Sequence, residues 1–243
     1  MSDLSVGNKF VILVTGTATS GKSTSLMNMP QPENIAYFNT DLKEIPFKHK
    51  MRAVSITSPG QLLGGITEIE TIPAIHTACV DTITHLMAQF ETQHIQTAVD
   101  TQKAWGNYGA FYRNLILKIK SGTKNYVIFT HEADKLNEKE MVLETKSPIK
   151  GAVGKIGIEA DFSIILSAKR LPIAKVEKFE GPLLTITDRD RANGFKYVFA
   201  TQIDSDTIGE KTRSPMGMWA DNEKYINNDL KMVFKRLHEY YNE

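Results

Sequence analysis

GTATSGKST, residues 16–24, follows the apolar run FVILVT, residues 10–15. Gly16 and Gly21 bracket four residues, and Lys22 and Ser23 come next, which fits the spacing G-x-x-x-x-G-K-[ST]. A loop of this kind turns its backbone N–H groups inward, onto an anion. Thr17, Ala18, Thr19 and Ser20 form its body, and a helix starting near Lys22 adds the positive end of its dipole. Lys22 is then placed to reach β- and γ-phosphates, and the Ser23 hydroxyl to ligate Mg²⁺. Thr24, one position further on, is expected to pack or cap. The context agrees with a nucleotide site. Residues 10–15 read as a buried strand, and SLMNM reads as a helix until Pro30 and Pro32 stop it.

The chain has 243 residues, 41% hydrophobic and 23% charged, with room for one large domain of ordinary globular composition. Cys79 is the single cysteine, so no disulfide framework is possible and a cytoplasmic home is expected. No signal peptide or membrane span is visible. A net charge of +1 gives no bulk basic field, so a nucleic-acid partner would have to be met by local patches. Such patches exist. Residues 101–131 contain no acidic side chain but hold Lys103, Arg113, Lys118, Lys120 and Lys124, and residues 143–196 are again rich in lysine and arginine.

Periodicity places strands at 10–15, 35–39, 52–56, 75–80, 125–130, 162–167, 183–187 and 195–201. It places helices at 22–29, 59–70, 82–94, 104–121 and 227–241. Alternating strands and helices through residue 131 imply an α/β fold with a mostly parallel sheet and helices on both faces. DRDRANG, residues 188–194, reads as the turn of a hairpin joining LLTIT to FKYVFAT, which would add antiparallel strands to one edge. The last helix has an apolar stripe of Ile226, Leu230, Val233, Phe234, Leu237 and Tyr241, with Asn227 or Asn228 as its cap. No linker divides the chain, so 1–243 reads as one domain, with 1–8 as a short arm and 162–243 as the β extension and final helix.

AIHTACVDT, residues 74–82, is an apolar strand ending in Asp81, the position from which a carboxylate holds Mg²⁺ through water. The next residue is Thr82, where an AAA+ ATPase usually carries its catalytic glutamate, and this counts against that class. The base must then come from elsewhere. NIAYFNTD, residues 34–41, ends in Asp41 with Glu44 just beyond, and Asp41 is the preferred acceptor of a proton from attacking water. NYVIFT, residues 125–130, delivers His131 and Glu132 to the same edge.

VTGTATSGKST, FNTD, CVDTIT, KAWGNYGAFYRNL, VIFTHEAD and KGAVGKIGIEADFSIIL occur in this order. Over about residues 9–240 the chain resembles the core-only RecA-like ATPases of phages, counted among single-strand annealing proteins. The resemblance implies a RecA-like P-loop fold, ATP and Mg²⁺ as ligands, and ATP hydrolysis. It also implies single-stranded DNA binding, with annealing or strand exchange beside a single-strand-binding protein. Asp41 would activate water, and Thr130 or His131 would sense the γ-phosphate. DNA would meet the loops at about 91–107 and 132–160. The first holds Lys103 and Trp105, the latter expected to pack. The second holds Lys135, Lys139, Lys146, Lys150 and Lys155 among pliable glycines.

Such ATPases complete their site across a subunit interface, which points to a filament or ring. Arg213 in EKTRSPMGMW is the preferred trans residue, with Lys211, Arg189 and Arg191 as competitors. Nothing ahead of the phosphate loop is long enough for a separate polymerisation domain, as expected of a core-only protein. A RecA-fold motor or helicase is the second reading and a small-molecule kinase the third. ATP as a purely conformational ligand is a fourth.

Overall fold

The computed structural model describes residues 10–138 and 141–242. The first-half strands are β1 (Val11–Gly16), β2 (Ile35–Asn39), β3 (Arg52–Ser55), β4 (Thr77–Asp81) and β5 (Asn125–His131). Then come β6 (Ala133–Asn137), β7 (Val142–Lys146), β8 (Ile164–Pro172), β9 (Phe195–Ala200) and β10 (Tyr225–Asn227). The helices are α1 (Pro59–Glu70), α2 (Ile83–Phe90), α3 (Thr101–Ser121), α4 (Gly151–Ile156), α5 (Ile173–Val176), α6 (Asp188–Asn193) and α7 (Leu230–Asn242).

The main sheet runs β10-β9-β8-β1-β5-β4-β2-β3. The strands from β8 to β3 are parallel, while β9 and β10 each run antiparallel to their neighbour. The expected α/β class, with its antiparallel C-terminal extension, is therefore present. β5 lies between β1 and β4. Its end is thus set between the phosphate loop and Asp81.

Side chains alternate across this sheet, so it carries two cores. Leu13, Phe38, Val80 and Ile128 pack on one face with Leu62 and Ile66 of α1, Leu86 of α2 and Leu115 of α3. Ile12, Val14, Tyr37, Cys79 and Phe129 pack on the other with Leu230, Val233 and Leu237 of α7. The helices begin where capping chemistry allows. Ser58 and Gln61 close a capping box on α1, Thr82 Oγ1 accepts from His85 N ahead of α2, and Asp100 Oδ1 accepts from Lys103 N at 2.9 Å ahead of α3.

Several expectations need correction. The helix read at 22–29 is only a 3-10 turn, Ser23–Leu26. It is too short to supply a macrodipole, so the anion site depends on individual backbone N–H groups. DRDRANG is no hairpin turn. Asp188–Asn193 is α6, with a Thr187–Asp190 capping box and Gly194 at φ +77° closing it. Residues 183–187 form no strand; β9 pairs with β8 directly, from Ser167↔Ala200 to Pro172↔Phe195. Among the described residues of 132–160, β6 pairs antiparallel with β7, and α4 follows. The expected 227–241 helix starts three residues later, and Asp229 Oδ1, not an asparagine, accepts from its first turn, from Lys231 N at 2.9 Å. The arm at 1–8 and Lys139 lie outside the described residues.

Candidate nucleotide site

The phosphate loop is built around its lysine. Lys22 is buried, and its Nζ donates to the Gly16 carbonyl at 2.7 Å and the Thr17 carbonyl at 2.8 Å. Burial lowers its pKa, and the charge of Asp81 opposes that shift. Only glycine fits the two ends of the loop. A Cβ on Gly16 would meet Ser20 Oγ at 2.4 Å and the Ala168 carbonyl at 2.8 Å. Gly21 has φ +90°, and a Cβ there would meet Asn228 Nδ2 at 2.6 Å. Thr19 also takes a positive φ, +64°.

The loop opens onto a cavity of about 710 Å³. Ala18, Thr19, Ser20, Gly21, Lys22, Ser23 and Thr24 line one side of it. Gly16 and Thr17 hold Lys22 from behind. Thr24 neither packs nor caps by its side chain, which faces the cavity and is exposed.

Asp81, at the end of β4, is buried at the cavity floor. Its Oδ2 accepts from Ser23 Oγ at 2.5 Å and from Tyr37 OH at 2.5 Å. Burial raises its pKa, and the two hydroxyl donors pull it back down. A hydroxyl and a carboxylate in contact form the hard oxygen set that suits Mg²⁺. The predicted Ser23–Asp81 pair is therefore in place and fits the metal. Tyr37 was missed, because a tyrosine inside an apolar strand reads as core; its hydroxyl end is the part that reaches the site.

Asp41 and Glu44 both line the cavity. Asp41 N donates to the Asp81 carbonyl at 3.3 Å, which fixes the acidic turn beside the metal-side carboxylate. His131, from the end of β5, lines the same cavity. Burial and the positive charge of Lys22 push its pKa down to about 4, so its ring is neutral at physiological pH. Its backbone N–H donates to Thr84 Oγ1 at 3.0 Å. Glu132 lines a separate pocket with Thr15, Glu159 and Glu210.

The far wall joins Met27 and Asn28, just past the loop, to residues remote in sequence: Asp190, Lys196, Tyr197, Asn227, Asn228 and Asp229. Met27 and Tyr197 are partly exposed there and offer the apolar surface a base needs. Asn228 Nδ2 donates to the Gly21 carbonyl at 2.7 Å, and Asn28 Nδ2 to Asp229 Oδ2 at 2.9 Å. These two bonds clamp the loop and its short turn from the C-terminal side. An asparagine pair ahead of a helix reads as a cap, and nothing in the sequence relates it to a glycine so far upstream.

The remaining sequence candidates lie away from the cavity. Arg213 pairs through its backbone with Ile165, and its guanidinium donates to the Phe162 carbonyl at 3.0 Å. It does not line the nucleotide cavity of its own chain. Arg191 is paired with Glu180. Of the lysines read as DNA ligands, Lys103 is near the start of α3, Lys146 pairs with Glu144, and Lys150 pairs with Glu91 at 2.7 Å. Lys155 is exposed on α4 with no ion pair among the described residues. Trp105 packs against the core and Tyr108, as expected. No helix among the described residues is long and apolar enough to cross a membrane.

One chain of hydroxyls leaves the site. Thr130 Oγ1, buried at the end of β5, contacts Thr84 Oγ1 at 2.9 Å and Ser147 Oγ at 2.5 Å. Ser147 N donates to the buried Glu159 Oε1 at 2.7 Å. The segment between Ser147 and Glu159 carries Lys150 and Lys155.

A family profile described as an AAA domain matches residues 8–175, more than half of the chain, and the chain belongs to that family. It is accordingly a P-loop nucleotide-hydrolysing ATPase in its general class. No curated protein matches it. Thr82, the residue after Asp81, carries no carboxylate at this edge. Thr82 instead caps α2.

Proposed function

We propose that the chain is an ATP-dependent, single-stranded-DNA-binding recombination protein that promotes annealing or strand exchange. The observation that carries this reading is the Thr130–Ser147 contact. It joins the strand end beside the nucleotide cavity to the segment bearing Lys146, Lys150 and Lys155. Lysines on such a segment neutralise phosphates without reading sequence.

In the hydrolysis step, the water oxygen bonds to the terminal phosphorus as the bond to the bridging oxygen breaks. ADP leaves with that electron pair, and Asp41 takes the water's proton. Lys22 and the loop N–H groups meet the charge that develops. Mg²⁺ held by Ser23 and Asp81 would supply further charge neutralisation at the phosphates. His131, neutral and beside Lys22, is suited to report the terminal phosphate by hydrogen bonding. A basic residue from a second copy, Arg213 being the preferred candidate, would complete the site in a filament or ring. A single-strand-binding protein is the accompanying partner, and the cytoplasm is the compartment.

The test uses two complementary labelled strands with Mg²⁺ and ATP. Faster pairing than in protein-free buffer supports the reading. ATP-driven separation of a preformed duplex, with no gain in pairing, would replace it with a helicase-like motor.

A further inference from the structure

A turn just past β2 is held in a conformation that L-residues rarely take. Leu42 has φ +59°, which is costly for a residue with a Cβ. Asn39 pins it from both sides: its Oδ1 accepts from Leu42 N at 2.9 Å, and its Nδ2 donates to the Lys43 carbonyl at 2.7 Å. The Leu42 side chain is exposed, so its burial does not repay the strain. What the turn achieves is placement. Lys43 lines the nucleotide cavity with Asp41, and its Nζ lies 3.3 Å from Asp41 Oδ2. The side chain is 72% exposed, so it is free to swing. Its charge already acts on the other nitrogens of the site, disfavouring protonation of Lys22 and of His131.

We propose that Lys43 supplies, from the same chain, a cation for the terminal phosphate of the bound nucleotide, giving up Asp41 to do so. The proposal rests on the ATPase reading and deepens it. The ammonium end of the pair stands in solvent while the Asp41 side chain is 15% exposed, so the lysine is screened by water and can exchange its partner. A triphosphate carries more charge than the single carboxylate of Asp41, so the exchange is driven by the ligand. Released from Lys43, Asp41 is available to take the proton of water. Lys43 therefore both binds the end of the triphosphate and frees the base. A diphosphate, lacking that end, leaves the pair intact.

The test is competition binding of ADP and of a non-hydrolysable ATP analogue to the full chain with Mg²⁺. Lys43→Ala is expected to weaken the triphosphate analogue about tenfold and leave ADP within about twofold. Lys43→Arg is expected to keep the wild-type ratio. The ADP affinity serves as the folding control. Equal weakening of both ligands, or no change in either, overturns the proposal. A wild-type chain that binds neither nucleotide overturns the ATPase reading, and this proposal with it. A wild-type chain that binds both, beside an unaltered Lys43→Ala, removes Lys43 alone.

Discussion

The nucleotide edge of the sheet and the lysine-bearing segment after β5 are built on different terms. At the edge, Lys22 and Asp81 are buried and each is held by two short hydrogen bonds to neighbours fixed in strands or turns. In the segment, Lys146 and Lys150 are paired with Glu144 and Glu91, and Lys155 stands in solvent. Removing a buried charged partner leaves another group desolvated and unpaired, which is costly. Removing an exposed, screened lysine costs little one residue at a time. The nucleotide edge should therefore respond to single substitutions, and the segment only to combinations.

The largest expected effect is at Lys22. Lys22→Ala should reduce ATP turnover by about 10³-fold or more, and turnover within tenfold of wild type would break the contrast at its strong end. The support behind the loop comes next. Leu237 is fully buried among the α7 contacts under β1, so Leu237→Ala should cost about 3 kcal/mol in denaturant unfolding. A loss below about 1 kcal/mol would mean that α7 is not a structural brace.

The segment supplies the smaller effects. Neutralising Lys146, Lys150 and Lys155 together should weaken single-stranded DNA binding. It should also flatten the dependence of log affinity on log salt by about two units. Lys155→Ala should account for more of this than Lys146→Ala, whose charge is already offset by Glu144. Equal single effects would show that the ion pairs open on binding, and no effect of the triple variant would move the DNA site elsewhere.

The smallest effect is a titration. The His131 ring should titrate near 4 by NMR, against an ordinary value of 6.5. Because the folded value is the lower one, the stability His131 contributes is fully present above 6.5. It is lost as pH falls through 6.5 towards 4. A midpoint above 6 would mean that the ring is not buried beside Lys22.

What could be read from the sequence divides along the same line. The phosphate loop, Asp81, Asp41 and His131 were legible because each is a short local pattern: an apolar strand followed at once by its polar end. The sheet class followed from those strands. Tyr37 and Asn228 were not, because their roles depend on what the fold brings to them. Tyr37 needs β4 beside β2, and Asn228 needs the C-terminus folded back onto Gly21. DRDRANG misled because aspartate, asparagine and glycine favour turns and helix ends alike. The Thr187–Asp190 box and Gly194 use them as the two ends of a short helix. The helix read after Lys22 failed for a related reason. The apolar residues of SLMNM have the right spacing, yet Leu26 and Met29 are buried from a 3-10 turn and the loop after it.

Ser147 touches both regions: its hydroxyl meets Thr130 and its N–H donates to Glu159. Ser147→Ala should retain turnover without DNA while lowering its stimulation by DNA about threefold or more, the size of a lost hydrogen bond. Unaltered stimulation would sever the proposed link.

The most direct measurement is ATP turnover by the full chain with Mg²⁺, with and without single-stranded DNA. The account predicts turnover that depends on Lys22 and rises strongly when single-stranded DNA is added. Lys22-dependent turnover that single-stranded DNA leaves unchanged would contradict it, separating the nucleotide site from the lysine-bearing segment.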